Sequence, residues 1–262
     1  MNQFRLLLIS FFVLALSSCS VNHARVDNSL KKYFDSSNVE GSFSLLNNQM
    51  GTITVYNMKL DTQRLSTGTS FKIPETLIGV QTGKVINTNS KIGNSDTNNL
   101  TLKEAFDNSS IPYFQKLAEQ IGKDTMQSML DSLSYGNKNM SGTLDSFWLN
   151  NTLKISPDEQ LGMLSKLYFE QLPFQKYSQE MVASMMLQQD DSLYKLSYTT
   201  GTGIDEKNSS FAWTLGWIEE NRHIYFFVTF VKTPDKTMDV KSTGIKITKS
   251  VLKDLGFFKG EK

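Results

Sequence analysis

The sequence predicts an α+β fold in which a central antiparallel sheet is flanked by helices and joined to an all-helical lobe. Two observations lead there. Period-two alternation of apolar residues occurs near both ends of the chain, over 41–56 and again from Leu193 to Val231, so strands from both ends can pair in one sheet. The stretch between them carries apolar residues at three-to-four spacing instead, which is helical. A ligand cleft is then expected between sheet and lobe.

Taken in order, Met1-Asn2-Gln3-Phe4-Arg5, an apolar run over 6–16 and the small pair Ser17-Ser18 before Cys19 form a secretory signal. The run is shorter than the ~20 residues of a membrane-spanning helix. Leu16-Ser17-Ser18-Cys19 also reads as a bacterial lipobox, with Cys19 lipidated; the alternative is an ordinary signal with a chance cysteine. The expected division is a signal peptide at 1–18, a lipid-anchored tether at 19–29 and one domain at 30–262, exported and held on the periplasmic face of a membrane. Cys19 is the single cysteine, so no disulfide forms and the core alone must hold the domain.

A short helix is expected at 30–34, then strands at 41–46 and 52–56 around a turn. Residues 71–80 predict a helix with Pro74 in its first turn, and the Asn/Ser/Thr-rich stretch 85–99 a loop. Helices follow at 111–121 and 124–133. Ser156-Pro157-Asp158-Glu159 is a helix start with cap, N1 proline and closing Glu; Leu161, Leu164, Leu167 and Tyr168 share one face until Pro173. Another helix follows Ser178. Tyr194, Leu196 and Tyr198 alternate, as do Phe211, Trp213, Leu215 and Trp217, while 224–231 is almost continuously apolar, as in a strand covered on both faces. Ile247, Val251, Leu252 and Leu255 make a last helix, stopped at Gly256.

Composition narrows the chemistry. The chain of 262 residues has 27 basic and 26 acidic side chains and no basic run, which argues against nucleic acid. Its two histidines, His23 in the tether and His223 at a turn, leave no case for a Ser-His-Asp triad, Cys-His catalysis or a His-ligated metal. Any base must be Lys, Tyr, a carboxylate or a hydroxyl.

Four segments carry candidate chemistry: Thr69-Ser70-Phe71-Lys72, Ser109-Ser110-Ile111, Tyr135-Gly136-Asn137 and Thr199-Thr200-Gly201. A hydroxyl three residues before a Lys shares its helix face, at ~100° per residue, and the Lys can accept its proton once neutral. Singly, each segment has a plain reading: a solvated face, a cap or a turn. Together with Lys32-Tyr33-Phe34, Ile73-Pro74, Leu77-Ile78-Gly79, Leu100-Thr101-Leu102, Asp145-Ser146-Phe147-Trp148-Leu149 and Ala212-Trp213 before Gly216-Trp217, they are collinear over nearly the whole mature chain. In these motifs the sequence resembles the class D β-lactamases.

The resemblance implies the β-lactamase/transpeptidase-like fold and a covalent acyl-enzyme. Thr69 stands at the nucleophile, Lys72 at a base carbamylated by carbon dioxide, and Ser109 at the second hydroxyl. Phe71 and Trp148 would form the carbamate pocket, and the backbone N–H groups of Thr69 and Thr202 the oxyanion hole. Ile111, Tyr135, Thr199, Thr200, Gly201 and Thr202 would contact substrate. No other cofactor and no metal is implied. The partner is a small β-lactam or peptidoglycan-like molecule, with the membrane reached through the lipid.

Three departures from the family pattern stand out. Thr69-Ser70 inverts the usual Ser-Thr; Ser70 lies ~200° around a helix from Lys72 and Thr69 only ~60°. Thr199 replaces a Lys, and Gly244 stands where an Arg is expected, so both anchors for a substrate carboxylate change, with Lys246 or Lys241 as substitutes. Slow β-lactam hydrolysis, a non-hydrolytic penicillin-binding sensor and a peptidoglycan-processing enzyme therefore all remain open.

Overall fold

The computed structural model describes residues 23–93 and 99–262. The signal at 1–18 and Cys19 lie outside the described residues. The stretch read as tether ends sooner than expected: His23–Val26 forms strand β1, parallel to a later strand with Ala24 opposite Ile53. Four residues can add to an open sheet edge without a hydrophobic pattern of their own, because the pairing uses backbone groups.

A short 3-10 turn then leads into α1 (Lys31–Asp35), and the hairpin follows as β2 (Glu40–Asn47) and β3 (Thr52–Tyr56). Two small elements went unread: α2 (Met58–Asp61), capped by Asn57, and β4 (Leu65–Ser66). A 3-10 turn, Gly68–Phe71, runs directly into α3 (Lys72–Gln81). The lobe adds α4 (Leu102–Asn108), α5 (Ile111–Ile121) and α6 (Lys123–Leu133). α4 was not anticipated, although Thr101 and Glu104 close a capping box at its start.

Strand β5 (Lys154–Ile155) pairs with β4. α7 (Pro157–Tyr168) opens on the predicted Ser156/Glu159 box, a cap that contributes ~1 kcal/mol. α8 (Lys176–Met185) begins just before Ser178, and the unpredicted edge strand β6 (Leu187–Asp190) follows. β7 (Tyr194–Ile204), β8 (Ser210–Glu220) and β9 (His223–Thr233) form the long meander, and α9 (Val240–Asp254) ends the sequence of elements.

The sheet order is β1-β3-β2-β9-β8-β7-β6, which joins strands from both ends as expected and is antiparallel except at β1. Alternation along β8 sorts two cores. Phe211, Trp213, Leu215 and Trp217 pack toward the helical lobe, whereas Ala212 and Ile218 pack with Val240, Ile247 and Val251 of α9. α3 is the axis of the lobe, with every residue from Lys72 to Val80 buried, and it meets α5, α6 and α8. Each large apolar side chain buried there adds ~1.5–3 kcal/mol, so a polar residue on this helix is held where the fold puts it.

Candidate active site

The site forms where the Gly68–Phe71 turn meets the edge of β7. Two glycines permit that approach. At Gly201 a Cβ would collide with the Ser70 backbone, standing 2.5 Å from its Cα, and at Gly68, with φ +50°, it would run into the Thr202 carbonyl. The strand and turn therefore touch main chain to main chain.

Thr69, 7% exposed, sits at this junction. Its Oγ1 accepts the Thr202 N–H at 2.8 Å. Ser70 points away: its hydroxyl donates to the Thr67 carbonyl at 2.7 Å, and the side chain is fully buried. The face assignment made from helical geometry thus survives, although the turn is 3-10 rather than α at this point.

Lys72 is 2% exposed, and its Nζ donates to the Phe106 carbonyl and to Ser109 Oγ, both at 2.7 Å. The Phe106 ring lies 4.8 Å from the same nitrogen. Among the described residues, no carboxylate bonds to it. Burial pulls its pKa from 10.5 down to about 7, and the charge of Lys241 adds to the effect while Asp107 opposes it. The result is an amine that is about half neutral at neutral pH.

Ser109 reaches Lys72 because it caps α4 in a left-handed conformation, φ +52°, uncommon for a residue with a Cβ. Its hydroxyl also lies 3.4 Å from the Thr200 carbonyl, so Ser109 links the lobe to β7. Phe71 is fully buried and stacks on Trp148 with centroids 5.6 Å apart; Phe147 meets both rings edge-on. These aromatic rings surround Phe71, next in chain to Lys72.

Of the expected substrate contacts, Thr199 and Thr200 are nearly buried in β7, Gly201 is pressed on the turn, and Thr202 offers its N–H to Thr69. Ile111, 39% exposed, stands at the start of α5. Tyr135 departs from the expectation of a substrate contact. It is 2% exposed, touches the edge of the Phe71 ring, and accepts a hydrogen bond from Gln160 Nε2 at 3.4 Å, so its side chain supports the turn from behind.

Sequence reasoning missed Gln160. This fully buried amide on α7 also donates to Ser70 Oγ at 3.4 Å. The signal was present, since Gln160 shares the spacing of Leu164 and Leu167 on an apolar face. The Phe106 carbonyl was also missed, and no residue type could have announced it.

A hydroxyl, a neutral amine, a second hydroxyl bonded to that amine and a backbone donor at the hydroxyl together suit acyl transfer. The penicillin binding protein transpeptidase domain matches residues 33–255. Probable β-lactamase YbxI of Bacillus subtilis (strain 168) is 34% identical over 255 residues, covering 94% of this chain and 92% of that protein. Among solved structures, FUS-1 (OXA-85), a class D β-lactamase from Fusobacterium nucleatum subsp. polymorphum, is 30% identical with a TM-score of 0.82, covering 90% of this chain and all (100%) of that one. The C-terminal domain of the Bacillus licheniformis BlaR penicillin-receptor is 26% identical with a TM-score of 0.83, covering 91% and 98%. With sheet, lobe and Lys72 pocket arranged as described, these whole-length matches make the chain a member of the penicillin-binding transpeptidase-domain family, alongside the class D β-lactamases.

Proposed function

We propose that this protein opens β-lactam rings through an ester on Thr69, with Lys72 as base, and hydrolyses that ester slowly. The observation that carries the reading is Lys72: a buried amine with a pKa lowered to about 7, bonded to Ser109 and, among the described residues, to no carboxylate. Thr69 Oγ1 attacks the lactam carbonyl and its proton passes to Lys72. The C–N bond breaks, and the ring nitrogen takes a proton through Ser109. The Thr202 N–H, freed of Thr69, holds the oxyanion. Water then attacks the ester with the same base.

A carbamate on Lys72 belongs to this reading. A neutral amine buried beside the Phe106 ring is reactive toward carbon dioxide, the Phe106 carbonyl can accept the one N–H that remains, and the Ser109 hydroxyl can donate to the new anion. Such a group would supply an oxygen base of carboxylate type that stays unprotonated at neutral pH. In this reading Lys241, on the first turn of α9, takes over the substrate carboxylate; its charge is already felt at Lys72. In the same reading residues 1–18 are an export signal and Cys19, the first residue of the tether, carries the lipid, which a lipid-labelling experiment with Cys19→Ala would test.

The test is an intact-mass time course with a penicillin, with and without bicarbonate, across pH 5–9. The reading expects an adduct on Thr69, a rate that rises with pH through about 7 as Lys72 loses its proton, and faster turnover with bicarbonate. The absence of both an adduct and drug loss would sink it. A second reading, a penicillin sensor, is favoured by the position of the Thr69 hydroxyl in the anion site and by the likeness to the BlaR receptor domain. A bicarbonate-insensitive adduct that persists for hours would select it.

A further inference from the structure

On the far side of the sheet a cleft of about 440 Å³ opens between β7, the C-terminal half of α9 and the last residues of the chain. That volume lies within the ~300–1,000 Å³ of ligand pockets. Its floor is apolar and aromatic. Leu196 and Phe257 are each 2% exposed, and the rings of Tyr194 and Phe258 meet at 5.0 Å.

The rim is cationic. Lys249, Lys253 and Lys259 line the cleft, and Lys249 Nζ stands 5.7 Å from the Tyr198 ring. The acidic side chains nearby are committed elsewhere. Asp254 pairs with Lys32 and Asp190 with Lys195, both at 3.0 Å. Glu220 accepts the backbone N–H groups of Phe258, Lys259, Gly260 and Glu261. The imbalance is regional: residues 232–262 hold eight lysines against four acidic residues in a chain whose net charge is +1. An apolar floor with an unanswered cationic rim selects a ligand having both an apolar body and an anionic head.

We propose that this cleft binds a single-chain anionic amphiphile, its head between Lys249 and Lys253 and its chain over Leu196 and Phe257. The site is separate from the Thr69 pocket and does not depend on the chemistry assigned there.

The probe is dodecanoate below its micellar concentration, followed by amide chemical shifts of the purified protein. Saturable shifts at 249–260 are expected, and the double variant Lys249→Gln/Lys253→Gln should weaken binding ~10-fold or more, since each lysine offers a charge-assisted hydrogen bond. Both positions are exposed, so the variant keeps its core. Equal affinity for dodecyltrimethylammonium, or unchanged affinity in the double variant, would show unspecific apolar binding and overturn the proposal. So would shifts seen only with anionic phospholipid vesicles, which would indicate adsorption to a surface, shifts that track self-association of the protein, or no shifts.

Discussion

The Thr69 hydroxyl accepts the Thr202 N–H at 2.8 Å and makes no bond to Lys72, whose own hydrogens go to Phe106 and Ser109. Attack therefore requires Thr69 to turn about χ1, and its β-methyl restricts that rotation against a buried wall. Thr69→Ser removes the methyl and keeps the hydroxyl, so the acylation rate should rise ~10-fold or more, equivalent to roughly 1.4 kcal/mol of barrier; an unchanged rate in the mass time course would locate the slow step elsewhere. Lys241→Gln should raise KM for carboxylate-bearing penicillins ~10-fold while leaving kcat within a factor of ~3, as expected for an interaction made equally in ground and transition states. At this scale much was legible. Helical spacing alone puts Thr69 and Lys72 on one face of the chain, although their side chains bond to different partners. Gln160 and the Phe106 carbonyl were not paired with the site, because they reach it from elements 90 and 34 residues away in sequence.

Elements bring these residues together through close contacts of main chain. β7 lies against the turn only because Gly201 and Gly68 have no side chain there, a requirement visible in the three-dimensional arrangement and not in the motif. The C-terminal tail is fastened differently. Glu220, at the end of β8, accepts four consecutive backbone N–H groups from residues 258–261 at 2.7–3.1 Å. Glu220→Ala leaves those donors without their partner and should cost ~2–4 kcal/mol of stability, with faster proteolysis of the tail and no change in the rate of acylation at Thr69. Thermal melts and limited proteolysis would check it; a loss of acylation equal to the loss of fold would count against the separation. The elements read correctly from sequence were those with many apolar repeats or a full cap, such as α7 and the β8–β9 pair. Those missed were short: α2 has four residues and β6 four exposed ones, too few for a period to register.

For the whole molecule, the sheet divides two cores, and polar groups trapped between layers set its response to pH. Asp61 on α2 is 2% exposed, and its Oδ1 has no hydrogen-bond partner among the described residues. Burial raises its pKa from 3.8 to about 7, against the influence of the Ser44 hydroxyl. Between those values the folded chain holds a proton that the unfolded chain has lost. The stability from Asp61 is thus complete below pH 3.8, declines as pH rises, and is gone above about 7. Lys72 acts in the opposite direction, since its folded pKa is depressed: its contribution grows with pH from about 7 to 10.5. Asp61→Asn should therefore flatten denaturation midpoints between pH 4 and 7 and raise stability at pH 7 by on the order of 3 kcal/mol; a midpoint that still falls across that window would assign the effect to another group. The sequence by itself determined the α+β class and the joining of strands from both ends of the chain, because periodicity is a property of neighbours in the chain. Only the tertiary structure decided that Thr69 rests on the Thr202 N–H, that Tyr135 and Gln160 stand behind the turn, and that burial lowers the pKa of Lys72. Those outcomes depend on distances and burial created by packing segments remote in sequence, and no local pattern encodes them.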